Sequence, residues 1–178
     1  MPKQQFTKTA LAMGLACLGA SWLAGAANVP AADKKFMEDA AVDGMTEVEA
    51  GKIAQGRASN ADVKQFASRM VEDHTKAGDK LKSIASSKGV ALPSGPDKKH
   101  QADLDKLSKS QNFDRDYMDA MVKDHKKAVG DFEKQSKSAK DPDVKNFASS
   151  TLPTLQEHLK MAEDTDKAVK SAKPAKGK

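Results

Sequence analysis

Apolar residues recur at steps of three and four along most of this chain, the spacing that lines up one face of an α-helix. The first such stretch runs from about Ala32 to Ala58, with Asp33 as its expected N-cap and Phe36, Ala40, Gly44, Val48, Gly51 and Ala54 along its inward face. A second opens in S-N-A-D-V-K-Q-F, where Asn60 caps and Ala61 begins the helix. Its stripe is Val63, Phe66, Met70, Ala77, Leu81 and Ile84, and it ends at Lys88-Gly89, where glycine suits a C-cap. G-V-A-L-P-S-G-P-D-K-K follows, too rich in proline and glycine to be helical. A short helix from Lys98 to Lys109 is then expected to lie across one end. A third long helix, Asn112 to about Ala139, turns Phe113, Tyr117, Met121, Ala128 and Phe132 inward. The fourth has Asp141 as cap, Pro142 at its first position and Val144, Phe147, Leu155 and Ala162 inside, with a kink expected at Pro153.

Each long helix has about 27 residues and spans about 40 Å. The joints after Ala58 and Ala139 are short, which makes antiparallel neighbours; the longer link from Gly89 permits a crossover. Runs of β-branched and aromatic residues that would make strands are absent. The expected fold is all-α: an antiparallel four-helix bundle with a short extra helix in the link between helices 2 and 3. Two echoes suggest a duplicated hairpin. Met70–His74 (M-V-E-D-H) returns as Met121–His125 (M-V-K-D-H), and Asp62–Ser68 (D-V-K-Q-F-A-S) returns as Asp143–Ser149 (D-V-K-N-F-A-S).

Polar residues interrupt these stripes at one height. His74, His125 and His158 continue the apolar faces of the second, third and fourth helices near their midpoints, and Glu47 falls on the inward face of the first. One carboxylate and three imidazoles are therefore expected to meet in one core layer. A buried carboxylate is costly unless paired or metal-bound. Two readings follow: a metal site for Fe, Cu, Zn or Mn held by Glu47, His74, His125 and His158, or a buried polar network that only fixes helix register. Asp73, Asp124 and Glu157 each precede a core histidine. Immediate neighbours do not face each other on a helix, so Asp73 could serve only a histidine on an adjacent helix. Met70, Met121 and Met161 lie within a turn of the histidines; thioethers suit copper, though methionine on a stripe is commonly core filler. His100, among Lys98, Lys99 and Gln101, is expected to be solvated and uninvolved.

Composition narrows the setting. Lys3 and Lys8, the apolar run Ala10–Ala27 and Ala24-Gly25-Ala26 have the order of a secretory signal peptide, so residues 1–26 are expected to be removed on export. The expected division is then a linker at 27–31, the bundle at 32–168 and a disordered basic tail at 169–178. Cleavage would take away Cys17, the single cysteine, and Trp22, leaving no thiolate ligand or cysteine nucleophile. It would also lower the net charge of +5 to about +3, much of it in the tail. A periplasmic or envelope location is expected, with peripheral envelope association and an unidentified protein partner as the open interactions. Nucleic acid is not expected as a partner, because export separates the chain from it and only 4% of residues are aromatic. No nucleophile elbow or Gly-rich phosphate loop occurs, so a binding role is expected in preference to an enzyme. Its alternative form is an envelope stress or partner-binding protein.

M-T-E-V-E-A-G-K-I-A, the two M-V-x-D-H segments, F-D-R-D-Y-M-D-A-M-V-K-D-H and T-L-P-T-L-Q-E-H-L-K-M-A together resemble the secreted bacterial proteins of domain of unknown function 4142. The likeness covers about Phe36 to Ala168. It implies a ferritin-like four-helix bundle in the periplasm or at the envelope. Members are often labelled outer membrane proteins, yet no β-barrel alternation is present. The di-iron pattern of ferritin-like proteins needs Glu-x-x-His on two helices; here Val71, Val122 and Leu155 stand three residues before the histidines, and Glu47 alone matches a ligand position.

Overall fold

Side-chain caps set several of the helix boundaries. Asn60 Oδ1 accepts from the backbone N–H groups of Asp62 and Val63 at 2.8 and 3.3 Å, and Asp141 Oδ1 does the same for Asp143 and Val144 at 2.9 and 3.2 Å. Such bonds satisfy N–H groups that a helix start leaves unpaired. At the other end of the second helix, Gly89 adopts φ 66°. There Val90 N–H bonds the Ala85 carbonyl at 2.9 Å and Gly89 N–H the Ser86 carbonyl at 3.2 Å, a Schellman closure that needs the glycine. In this computed structural model, which describes residues 29–172, the elements are α1 (Ala31–Arg57), α2 (Ala61–Ser87), α3 (Lys98–Ser108), α4 (Phe113–Ser138) and α5 (Pro142–Ser171). The protein is all-α, with no strand among the described residues. The expected signal peptide and residues 173–178 of the expected tail lie outside the described residues.

Contacts between helix ends fix the topology. Asp33, at the start of α1, bonds Gln135 near the end of α4 and the backbone of Lys140 and Asp141. At the same end, Lys88 after α2 pairs with Asp141 and Asp143 at 2.8 and 2.7 Å. At the opposite end, Arg57 donates to the Ser108 and Ser110 carbonyls, and Asp114 accepts from the Ser59 and Asn60 backbone. So α1 and α5 run one way and α2 and α4 the other. The link carrying α3 returns the chain along the bundle. Hairpin α1–α2 and hairpin α4–α5 are the tightest pairs, joined through α2–α5 and α1–α4.

Four expectations change. α1 does not bury Phe36 and Ala40 most deeply; Met37, Ala41, Ala50 and Ala54 are the buried apolar residues, with Phe36, Ala40 and Val48 half-buried. Apolar residues lie on several faces of this helix, so the pattern left its rotation open by one residue. Asp33 caps no residue of α1, which starts after Pro30 without a side-chain cap. Instead its carboxylate, 2% exposed, takes three donors from the α4–α5 joint. The short helix does not cross one end. It lies lengthwise against α1 and α4, tied by His100 to Asp43 at 3.3 Å and by Arg57 at its far end. His100 also bonds Asp97 at 2.8 Å, so it docks α3 and is not a free solvated residue. Pro153 lies inside α5 with its ring exposed, and the helix continues to Ser171.

The core falls into two apolar clusters. One holds Phe66, Met70, Phe113, Tyr117, Met118 and Met121; the other holds Met37, Leu81, Phe132, Val144, Phe147 and Leu155. Between them lies the polar layer.

Candidate metal centre

Antiparallel helices of similar length bring their midpoints level, and the four midpoint polar residues do meet. Glu47 is 6% exposed, His74 8%, His125 0% and His158 1%. The imidazole centroids form a near-equilateral triangle with sides of 5.6 Å for His74–His125, 5.3 Å for His74–His158 and 5.4 Å for His125–His158.

One nitrogen of each ring faces an acceptor. His125 Nδ1 lies 2.9 Å from the Met121 carbonyl, which can only accept, so this nitrogen carries the proton. His74 Nδ1 is 3.0 Å from Glu47 Oε2, and Glu47 Oε1 stands 3.6 Å from His125 Nδ1. His158 Nε2 donates to Asp73 Oδ2 at 3.0 Å. Asp73 also accepts from Arg69, which in turn lies 3.9 Å from Glu157. Each ring's other nitrogen, His74 Nε2, His125 Nε2 and His158 Nδ1, is buried without a hydrogen-bond partner. Each ring also offers a nitrogen within 4.8 Å of those offered by the other two.

Burial keeps His74 and His158 neutral. Burial pushes the His74 imidazole below its ordinary range, against the pull of Glu47. Burial likewise lowers His158, to about 4, although its bond to Asp73 works the other way. Burial would raise the Asp73 carboxyl, but the bonds from Arg69 and His158 prevail and hold it down. At neutral pH His74 and His158 are therefore neutral imidazoles, each with one nitrogen facing a carboxylate and a lone pair on the other.

Glu47, the fourth expected ligand, sits beside the imidazole trio on the Nδ1 side of two rings. Of the three acidic residues before the histidines, Asp73 reaches the histidine of the adjacent helix, whereas Asp124 and Glu157 are exposed. That contact was signalled only by Asp73 being at the edge of its helix interface. Tyr117 Oη is buried without a partner, and burial raises its pKa. On the α2–α4 side Phe66 packs edge-on to His125 at 6.3 Å. On the other side a cleft of about 1280 Å³ reaches Glu47, His74 and His158.

Solved structures share this fold at low identity. A DUF305 fragment from Deinococcus radiodurans is similar with TM-score 0.69 and 13% identity, over 79% of this chain and 98% of that one. CopM in its Cu(II)-bound and Cu(I)-bound forms is similar with TM-score 0.66 and 18% identity, over 76% of this chain and 96% of that one. No curated protein matches the chain. Among the described residues no helix is long and apolar enough to cross a membrane. Residues 19–165 match the family described as Domain of unknown function (DUF4142), and the chain belongs to that family.

Proposed function

We propose that the layer is a transition-metal centre in a ferritin-like, exported bundle, with His74, His125 and His158 as ligands. The observation that carries this is a set of three buried imidazoles, each with one nitrogen that no donor satisfies and each offering a nitrogen within 4.8 Å of those of the other two. A register-fixing polar network would also supply donors to its acceptor nitrogens, since an unsatisfied buried polar atom costs about 1–3 kcal/mol. A cation satisfies three lone pairs at once. Glu47 takes the supporting role, holding His74 and His125 from their Nδ1 side, and Asp73 holds His158. Carboxylates behind ligating histidines fix the tautomer and raise ligand basicity.

Three neutral nitrogens without a thiolate suit Zn or Cu better than hard ions, and Fe or Mn less well. The fold likeness to CopM, whose structures are described as Cu(II)- and Cu(I)-bound, makes copper the first ion to try. The leader pattern in residues 1–26 supports a periplasmic or envelope setting, where the centre would store or buffer the ion. The test is metal content by mass spectrometry on untagged protein recovered from the periplasm, beside a His74→Ala/His125→Ala variant. Near-stoichiometric metal that vanishes in a still-helical variant is expected. An empty wild-type protein after loading with Cu, Zn, Fe and Mn would overturn the reading and favour a partner-binding bundle with a structural polar layer.

A further inference from the structure

We propose, resting on the metal reading above, that the cleft is a ligand pocket of this centre. It would admit a neutral small molecule with an apolar body and one unprotonated nitrogen or sulfur donor, which completes the coordination of the ion.

Donor number comes first. Three imidazoles leave a four-coordinate ion one ligand short, and an ion held by three protein ligands keeps its fourth position for an exchangeable group. Glu47, the nearest further donor, is engaged with Nδ1 of His74 and stands beside Nδ1 of His125. The described residues contain no cysteine.

The direction of the open position follows from packing. Toward the joint with α3, Phe66, Met70 and Met121 fill the core against the layer, each less than 5% exposed. Toward the other end, the cleft reaches His74 and His158 directly. Gly44 lines it, and a Cβ there would meet only His74 Nδ1, at 4.0 Å.

The cleft's walls choose the ligand. Phe36, Met45, Leu81, Phe132, Phe147 and Leu155 line it, and its volume of about 1280 Å³ exceeds what a drug-sized molecule occupies. Glu47 and Asp73 line it beside His74 and His158, so an anionic head there would meet like charge while a neutral donor would not.

The test uses the full chain loaded with Co(II), stoichiometry measured first, and titrated with imidazole and with 4-phenylimidazole while the visible absorption bands are followed. Both ligands should shift the bands, and 4-phenylimidazole should bind on the order of tenfold more tightly because its phenyl ring enters the apolar cleft. Ala40→Phe narrows the cleft away from the histidines and should erase that preference with Co(II) affinity unchanged; Ala40→Leu serves the same end if the larger ring prevents folding. Bands that move with neither ligand, equal affinities, or a preference that survives both variants would overturn the pocket while leaving the metal centre standing. Failure to load Co(II), Cu(II) or Zn(II) would overturn both.

Discussion

Asp73→Ala isolates the carboxylate that sets the tautomer of His158. In the wild type, the bond from His158 Nε2–H to Asp73 at 3.0 Å leaves Nδ1 as a lone pair among the other two rings. Without the carboxylate nothing favours Nε2–H, and a proton on Nδ1 removes one of the three ligands. Loss of an outer partner of a metal-ligating histidine costs about 10–100-fold in affinity, or roughly 1.4–2.8 kcal/mol at 1.4 kcal/mol per decade. The second partner of Asp73, Arg69, is 48% exposed, so Arg69→Ala should change affinity by less than about threefold. The assay is competition titration of Zn(II) or Cu(II) against a chromophoric chelator, with helicity checked by circular dichroism. Asp73→Asn should fall between, because its amide oxygen can still accept. An Asp73→Ala protein that remains helical and binds with wild-type affinity would refute the role given to this pair.

Other perturbations read the fold directly. Asp33→Ala strips the acceptor from the Gln135 amide and from the Lys140 and Asp141 backbone; at about 1–3 kcal/mol per buried orphan, urea denaturation should show a loss of about 3–5 kcal/mol, and a loss below about 1 kcal/mol would deny that this carboxylate holds the joint. Gly51→Ala puts a Cβ 2.8 Å from Val71 Cγ2 and 3.1 Å from the Ala67 carbonyl, so overpacking of about 1–3 kcal/mol should outweigh the helix gain and lower Tm. Gly130→Ala, with open space around it, should raise Tm; a rise in both would sink the close-approach account. The metal-free protein should lose stability as pH falls. His158 titrates at about 4 when folded and near 6.5 when unfolded, so the unfolded chain holds more protons between these values. About 3 kcal/mol is lost from pH 7 down to 4, and a denaturation midpoint unchanged between pH 7.5 and 4.5 would contradict it.

Local signals were legible because their partners are close in sequence. Asn60, Asp141 and Gly89 act within two or three residues, and the four polar interruptions shared a height because helices of similar length pack antiparallel. What escaped was set between elements. Asp33 sits where an N-cap could stand, yet its acceptors face a joint more than 100 residues away. The first half of the α1 face was off by one position, whereas Gly51 and Ala54 are buried as expected, because Phe36, Met37, Ala40 and Ala41 offer two adjacent apolar rows, and only packing against α2 and α4 chooses between them. His100 looked solvated among lysines, since Asp43 approaches it only after α3 has folded back along α1. Sequence spacing brought Glu47 to the layer but could not say which side of each ring it meets; it faces Nδ1 of His74 and stands beside Nδ1 of His125.

That side decides what the layer is. Helix register could be fixed by one histidine hydrogen-bonded to Glu47, with two leucines in place of the other rings, and the core would gain apolar burial. Instead, two apolar clusters are separated by three imidazoles whose outward nitrogens are engaged and whose remaining nitrogens are not. Backing each ring with an acceptor makes the opposite nitrogen a stronger base, which helps a hydrogen-bond network only if a donor stands there. Among the described residues none does. The unpartnered buried nitrogens cost stability in the metal-free protein, and a bound cation reverses that cost. His125→Leu separates the two cases. If the layer is only structural, the substitution removes an unsatisfied buried nitrogen and should stabilise the protein with or without metal. If it is a metal centre, the same substitution stabilises the metal-free form while abolishing the rise in Tm that metal gives the wild type.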